Sequence, residues 1–464
     1  MDRRTDPVSQ KLEEDRAGPQ RRLQQASWLM LGNGLRLGLS GVYFILLARL
    51  LGPEAFGVLS AILACSNLAA PFGYFGQSEL LIQRLSQRGS DPLGSHASEG
   101  RIFPPAVEAA GPSLWLASLG CGAMALLLWP LLSFWLAGIP VLVVGLLLTS
   151  DLFFIGLQEV QKGQLIGQEH IGGVALIDTG MALGRVSAVL LAAGLGWGSL
   201  AQWSVLYGLM VLAVLLLTAW GMGRWAKEAV SLPGALSWRD LRERLTAGWD
   251  FAVGLAAVKT FTDLDKLLLP RLASATAAGL YGAAYRVINF SQTPMIALLT
   301  SHFAEICRQG RKGLRYGWSY AWQLAPWVVG YGSLATLGLA LASYGIPWVL
   351  GSAYQETAQI LRWLSPVILL EGIHLLLSQV LTGVGLQKPR SRLQLLALGL
   401  NGLLNGVWIP MWGWRGAASA TLLSEVALVL ALLLLICRQW PSGERSEPRG
   451  LSRFCRLLWH RGRK

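Results

Sequence analysis

Five cations stand inside long apolar runs of this 464-residue chain: Arg36, Arg185, Lys259, Lys266 and Arg286. A charge in hydrocarbon costs roughly 2.5–3.5 kcal/mol on insertion scales, so each must face protein or water. Arginine and lysine in such places can grip an anionic group, arginine through a planar fork and lysine as a point charge. Lys259, Asp263 and Lys266 follow an i, i+4, i+7 spacing and form one helical stripe, while Asp265 points elsewhere. Asp178 and Arg185 are seven apart and share a face, Glu371 shares one with His374 and Ser378, and Arg286 with Asn289 and Thr293. Asp178, Asp263 and Glu371 are the carboxyls placed to exchange a proton or sodium ion with a gradient. The plain alternative for each set is a self-neutralised pair that packs helices, Lys259 with Asp263 foremost.

The elements that carry these residues follow from composition. The chain is 53% hydrophobic and 14% charged, with mean hydropathy +0.46, against about 25% charged for soluble domains. It reads as an all-α polytopic membrane protein. Windows of about 20 apolar residues predict about 12 transmembrane helices, near 28–50, 56–78, 113–137, 139–157, 171–193, 200–222, 248–269, 279–303, 318–343, 364–385, 393–411 and 417–437. With the N-terminus inside, 30 lysines and arginines fall in cytoplasmic segments and four, Arg49, Arg271, Arg362 and Arg415, in the opposite loops. That bias predicts that both termini are cytoplasmic. The net charge of +13 lies in short loops beside the spans, which argues against nucleic acid. The five cysteines show no disulfide framework, and no metal-ligand cluster, nucleotide loop or cofactor motif is present.

Five segments result: a disordered cytoplasmic arm at 1–26, a six-helix bundle at 27–222, a cytoplasmic linker at 223–247, a second six-helix bundle at 248–437 and a basic cytoplasmic tail at 438–464. In the tail, Leu451, Phe454, Leu457 and Leu458 recur at helical spacing among arginines, a pattern suited to lipid headgroups. The bundles look like copies. Arg49 and Arg271 are 222 residues apart, as are Gly57 and Gly279, and Arg36 and Lys259 precede those arginines by 13 and 12 positions. The repeat predicts two pseudo-equivalent bundles in the same orientation around a central cavity, with Arg36 and Lys259 clamping one anionic group such as a diphosphate.

Ala48-Arg49-Leu50-Leu51-Gly52-Pro53-Glu54-Ala55-Phe56-Gly57 resembles the first hairpin of the bacterial polysaccharide-repeat flippases, of the O-antigen and exopolysaccharide type. Asp265-Lys266 followed by Ala278-Gly279-Leu280-Tyr281-Gly282-Ala283-Ala284-Tyr285-Arg286 resembles the start of their second half. Leu350-Gly351-Ser352-Ala353-Tyr354 and Gly413-Trp414-Arg415-Gly416-Ala417-Ala418 resemble later landmarks. The resemblance spans about residues 27–440 and implies the multidrug, oligosaccharidyl-lipid and polysaccharide exporter (MOP) superfamily. It further implies alternating access, an undecaprenyl-diphosphate-linked oligosaccharide as substrate, and the bacterial inner membrane as location. Membrane lipids, a polysaccharide polymerase and chain-length machinery are the partners it implies. The competing readings are a multidrug or small-molecule exporter, for which an acidic cavity would be expected, and an intramembrane sugar polymerase or ligase. The enzyme reading lacks support, because the longest external loop, about 344–363, offers only Glu356 and Arg362 as charged groups.

Overall fold

Gly52 divides the first membrane helix. In the computed structural model, which describes residues 7–89, 106–168, 170–225 and 238–440, α1 runs from Pro7 to Gly73, with Gly52 at φ 71°, ψ 172° inside it. Its apolar part, Gly34–Gly73, is 40 residues long, about 60 Å if straight and so twice a hydrocarbon core of about 30 Å. The left-handed backbone at Gly52, open to glycine at little cost, breaks this length in two. Helix already begins at Pro7, within the stretch expected as a polar arm. The basic tail beyond Trp440 and residues 226–237 of the linker lie outside the described residues.

The chain continues as α2 (Gln77–Gly89), α3 (Ala106–Trp135), α4 (Val141–Leu148), a π-helical stretch (Thr149–Ile155), α5 (Gly156–Gly167), α6 (Ile171–Gly194) and α7 (Leu200–Trp225). Then follow α8 (Trp238–Leu272), α9 (Ala275–Gly310), α10 (Leu314–Ala342), α11 (Ile346–Leu350), α12 (Gln355–Leu364), α13 (Val367–Gly383), α14 (Gln387–Trp412) and α15 (Trp414–Arg438). The protein is thus an all-α polytopic membrane protein. Among the described residues eight helices are long and apolar enough to cross a membrane, or nine if α12 and α13, bent by 42°, count as one span. The difference from the twelve expected windows has two sources. Windows 28–50 and 56–78 fall within α1, and α8 and α9, which carry Lys259, Asp263, Asp265, Lys266 and Arg286, do not pass as apolar spans.

The chain divides into two compact units. The first comprises the residues up to Leu51 and Cys65–Lys259. Its core is built from small residues: Ala117 and Cys121 of α3 pack with Tyr74, Leu81 and Val160, and Ala69 and Ala125 with Leu152. Such residues let helices approach in a lipid setting where no hydrophobic drive separates protein from solvent. The start of α8 is held to this unit by a polar knot. Arg244 donates to Ser113 Oγ at 3.0 Å, Ser113 Oγ to Gln77 Oε1 at 3.0 Å, and all three residues are buried.

The second unit comprises Gly52–Ala64 and Thr260 onward. Met295, Leu299, Val328, Leu377, Val380, Leu428 and Leu432 form its main core, drawn from α9, α10, α13 and α15. The two copies of the repeated motif meet inside this unit. A Cβ on Gly57 would fall 1.8 Å from the Ala275 carbonyl oxygen, and a Cβ on Gly279 1.8 Å from the Pro53 carbonyl oxygen. Residues 53 and 275 are also 222 apart. The contact is therefore reciprocal, each copy presenting the same glycine to the same carbonyl of the other, as an isologous interface does.

Candidate functional site

In the first unit the repeat-related arginine belongs to a chain of alternating charges. Arg36 Nη1 of α1 lies 3.3 Å from Asp178 Oδ2 of α6, and Lys162 Nζ of α5 lies 3.4 Å from Asp178 Oδ1 and 2.5 Å from Glu159 Oε1. Lys162 was missed by the sequence reading, which ends the fourth span at 157 and places 158–170 in a loop. The helix instead runs on to Gly167, and its buried glutamines, Gln158, Gln161 and Gln164, are the polar stripe that could have signalled it. Asp178 and Arg185 do share a helix face, but they do not pair.

Arg185 belongs to a separate, closed cluster. Its Nη2 donates to Tyr207 Oη at 3.5 Å, and Tyr207 donates to Asp151 Oδ1 at 3.0 Å. The guanidinium lies 5.9 Å from the Tyr43 ring centroid, and Tyr43, Trp203 and Tyr207 pack ring on ring. Asp151 sits in the π-helical stretch, whose geometry recurs at functional positions.

The second unit holds most of the intramembrane carboxyls. Lys266 Nζ lies 2.5 Å from Asp263 Oδ1, donates to the Thr262 carbonyl at 2.8 Å and sits 4.2 Å from the Tyr285 ring centroid. The Lys259–Asp263 pair is therefore not formed; Asp263 turns to the cation three residues on. Asp265, off the stripe as expected, accepts from Tyr281 Oη at 2.5 Å and from the Lys266 backbone N–H at 2.7 Å. Glu371 of α13 is half-buried, while His374, one turn on, meets Glu425 Oε2 of α15 at 2.8 Å. Glu425 is fully buried and its other carboxyl oxygen has no partner among the described residues. Glu425 stands in the middle of α15.

Lys259 and Arg286 are exposed and make no ion pair among the described residues. The accessible cations are thus Arg36, Lys259 and Arg286, whereas Asp263, Asp265 and Glu425 are buried. Among the described residues no group of three or more His, Cys, Asp and Glu could hold a metal.

Residues 23–302 match the sequence pattern of the family described as "Polysaccharide biosynthesis protein". The chain belongs to that family. The matched stretch contains Arg36, Lys162, Asp178, Lys259 and the reciprocal glycines. A relative in Haloferax volcanii, "Probable flippase AglR", is 31% identical over 198 residues. That match covers 40% of this chain and 37% of the relative, so the chain spans well under half the length of the curated relative it matches. Solved structures extend the likeness to the whole fold. An inward-facing multidrug-resistance MATE family transporter of the MOP superfamily superposes with a TM-score of 0.69 at 14% identity, covering 90% of this chain and 100% of that one. "Lipid II flippase MurJ, inward closed conformation" superposes at 0.63 with 13% identity, covering 89% and 87%. An outward-facing MATE transporter gives 0.59 at 13% identity, covering 90% and 95%. This family member therefore shares the fold of these solved proteins, which have been seen facing inward and facing outward.

Proposed function

We propose that this polysaccharide biosynthesis protein is a flippase that carries undecaprenyl-diphosphate-linked oligosaccharide units across the bacterial inner membrane, by alternating access, for assembly of a surface polysaccharide. The observation that carries the reading is the sorting of intramembrane charge: the accessible cations are Arg36, Lys259 and Arg286, and the buried groups are largely carboxylates already engaged. Accessible cations suit a diphosphate, which accepts charged hydrogen bonds from arginine and lysine together. Arg36 and Lys259 are the primary ligands in this reading, and Arg286 is a further accessible cation for the substrate. Arg185 and Lys266, bound within their own clusters, shape the site indirectly. A proton or sodium gradient drives the cycle through Asp178, Asp263 or Glu371, with both termini cytoplasmic and the polymerase and chain-length machinery acting downstream.

The test is export in cells. Arg36→Ala and Lys259→Ala should each cut polymer at the surface, with lipid-linked oligosaccharide accumulating and the protein still inserted and abundant. Normal export in both would refute the reading. A second reading, a multidrug exporter, draws on one observation: the interior of the second unit, with Asp263, Asp265, Glu371 and Glu425 against Lys266 and His374, is acidic and would suit a cationic cargo. Loss of resistance to cationic drugs on deleting the gene, with polysaccharide intact, would favour it.

A further inference from the structure

The charge chain of the first unit is built to be opened. Asp178 is held from two other helices at once, by Arg36 at 3.3 Å and Lys162 at 3.4 Å, both longer than the 2.7–2.9 Å of a good charge-assisted bond. Lys162 makes its closer contact to Glu159, at 2.5 Å. The Arg36 side chain is 47% exposed, against 24% for Asp178 and 18% for Lys162. A pair so open to solvent contributes little to holding helices together. What it does is keep two cations of α1 and α5 aimed at one point, the carboxylate of α6. We propose that Asp178 is a built-in stand-in for the substrate's phosphate: an entering anionic group displaces it from Arg36 and Lys162, and the released carboxylate takes up a proton from solvent. The inference rests on the reading of Arg36 as a ligand of an anionic headgroup.

The chemistry balances without a further reactant. Two weak contacts to one carboxylate are exchanged for contacts to a phosphoryl group with more acceptor oxygens and more charge. The carboxylate left behind is about a quarter exposed, at 24%, and stands next to the incoming anion, where a like charge favours the protonated form. The charged groups around Asp178 are Arg36 from α1 and Lys162 from α5, with Glu159 of α5 held on Lys162. From α7, among the described residues, Tyr207 faces α6 but is engaged by Arg185 and Asp151. Substrate entry and proton uptake are then one event at one residue, which separates Asp178 from Asp263 and Glu371 as the coupling group.

The experiment uses the full chain in lipid nanodiscs, with inorganic pyrophosphate as the probe. Titration calorimetry in two buffers of different ionisation enthalpy reads affinity and proton uptake together. Asp178→Asn removes the competing charge, so pyrophosphate should bind about tenfold more tightly, the scale of one charged contact no longer contested. Proton uptake should fall below the wild-type value by up to about one per pyrophosphate, the probe's own protonation being common to both proteins. Adding Arg36→Gln to Asp178→Asn should abolish the gain. If Asp178→Asn is not recovered folded, Asp178→Ser removes the same charge and carries the same expectation. Equal or weaker binding by the neutral variants, with unchanged proton uptake, would overturn the inference while leaving the anion site standing. Failure of every form, wild type included, to bind pyrophosphate would overturn both.

Discussion

Replacing Gly57 and Gly279 by alanine, singly and together, tests the reciprocal contact. Each new methyl would sit 1.8 Å from a backbone carbonyl oxygen, where a carbon needs about 3.5 Å, so the helices must part by roughly 1.5–2 Å. The obstacle is backbone and cannot rotate away. Forced opening of this kind costs about 3 kcal/mol, the upper end of ordinary overpacking, and each Gly→Ala returns up to about 1 kcal/mol of helix propensity. Each single variant should therefore lose about 2 kcal/mol. The two methyls press on the same crossing, so one opening accommodates both, and the double variant should lose only about 1–2 kcal/mol rather than the roughly 4 of independent sites. Equilibrium unfolding of the purified protein in mixed micelles measures all three. An additive double variant, or singles within about 0.5 kcal/mol of wild type, would refute the reciprocal geometry.

Lys266→Met should destabilise the second unit by about 3–5 kcal/mol, because it removes the cation held against the buried Asp263 carboxylate, and Asp263→Leu in the same protein should restore most of the loss; unfolding midpoints of the two variants decide it. Tyr281→Phe removes a donor from the buried Asp265 carboxylate and should cost about 1–3 kcal/mol, read in the same assay. Lys259→Ala should leave stability within about 0.5 kcal/mol, since Asp263 keeps Lys266, while still impairing export; adding Asp263→Ala should not restore export. Cysteine at the exposed Glu54 should react with an impermeant maleimide from outside the cell, and labelling only from the cytoplasmic side would reverse the assigned orientation.

Hydropathy made the all-α membrane class legible, and the 222-residue offset between Gly57 and Gly279 was visible before any contact between them. Periodicity tells which residues share a helix face, but not which helix lies opposite. Asp178 and Arg185 are neighbours on α6, yet one reaches Arg36 and Lys162 and the other Tyr207. Lys259 and Lys266 both flank Asp263 on one stripe, and rotamer and burial, which sequence does not print, give the carboxylate to Lys266. The polar helices α8 and α9 blur the span count because part of their charge is matched locally, Lys266 by Asp263 on α8 itself and Asp265 by Tyr281 of α9, and a window of hydropathy cannot see a partner.

The π-helical stretch Thr149–Ile155 has a consequence for how this chain could have arisen. Widening a turn admits one extra residue, and one residue is worth about 100° of rotation about the helix axis. All that follows on α5 is re-phased by that angle relative to α4. A reader, or an ancestor, counting straight through at an unbroken pitch would find Lys162 and the glutamine stripe a quarter turn away from Asp178. A single inserted codon, with no change to any side chain, is enough to dial the lysine into register with α6, and a single deleted one would dial it out.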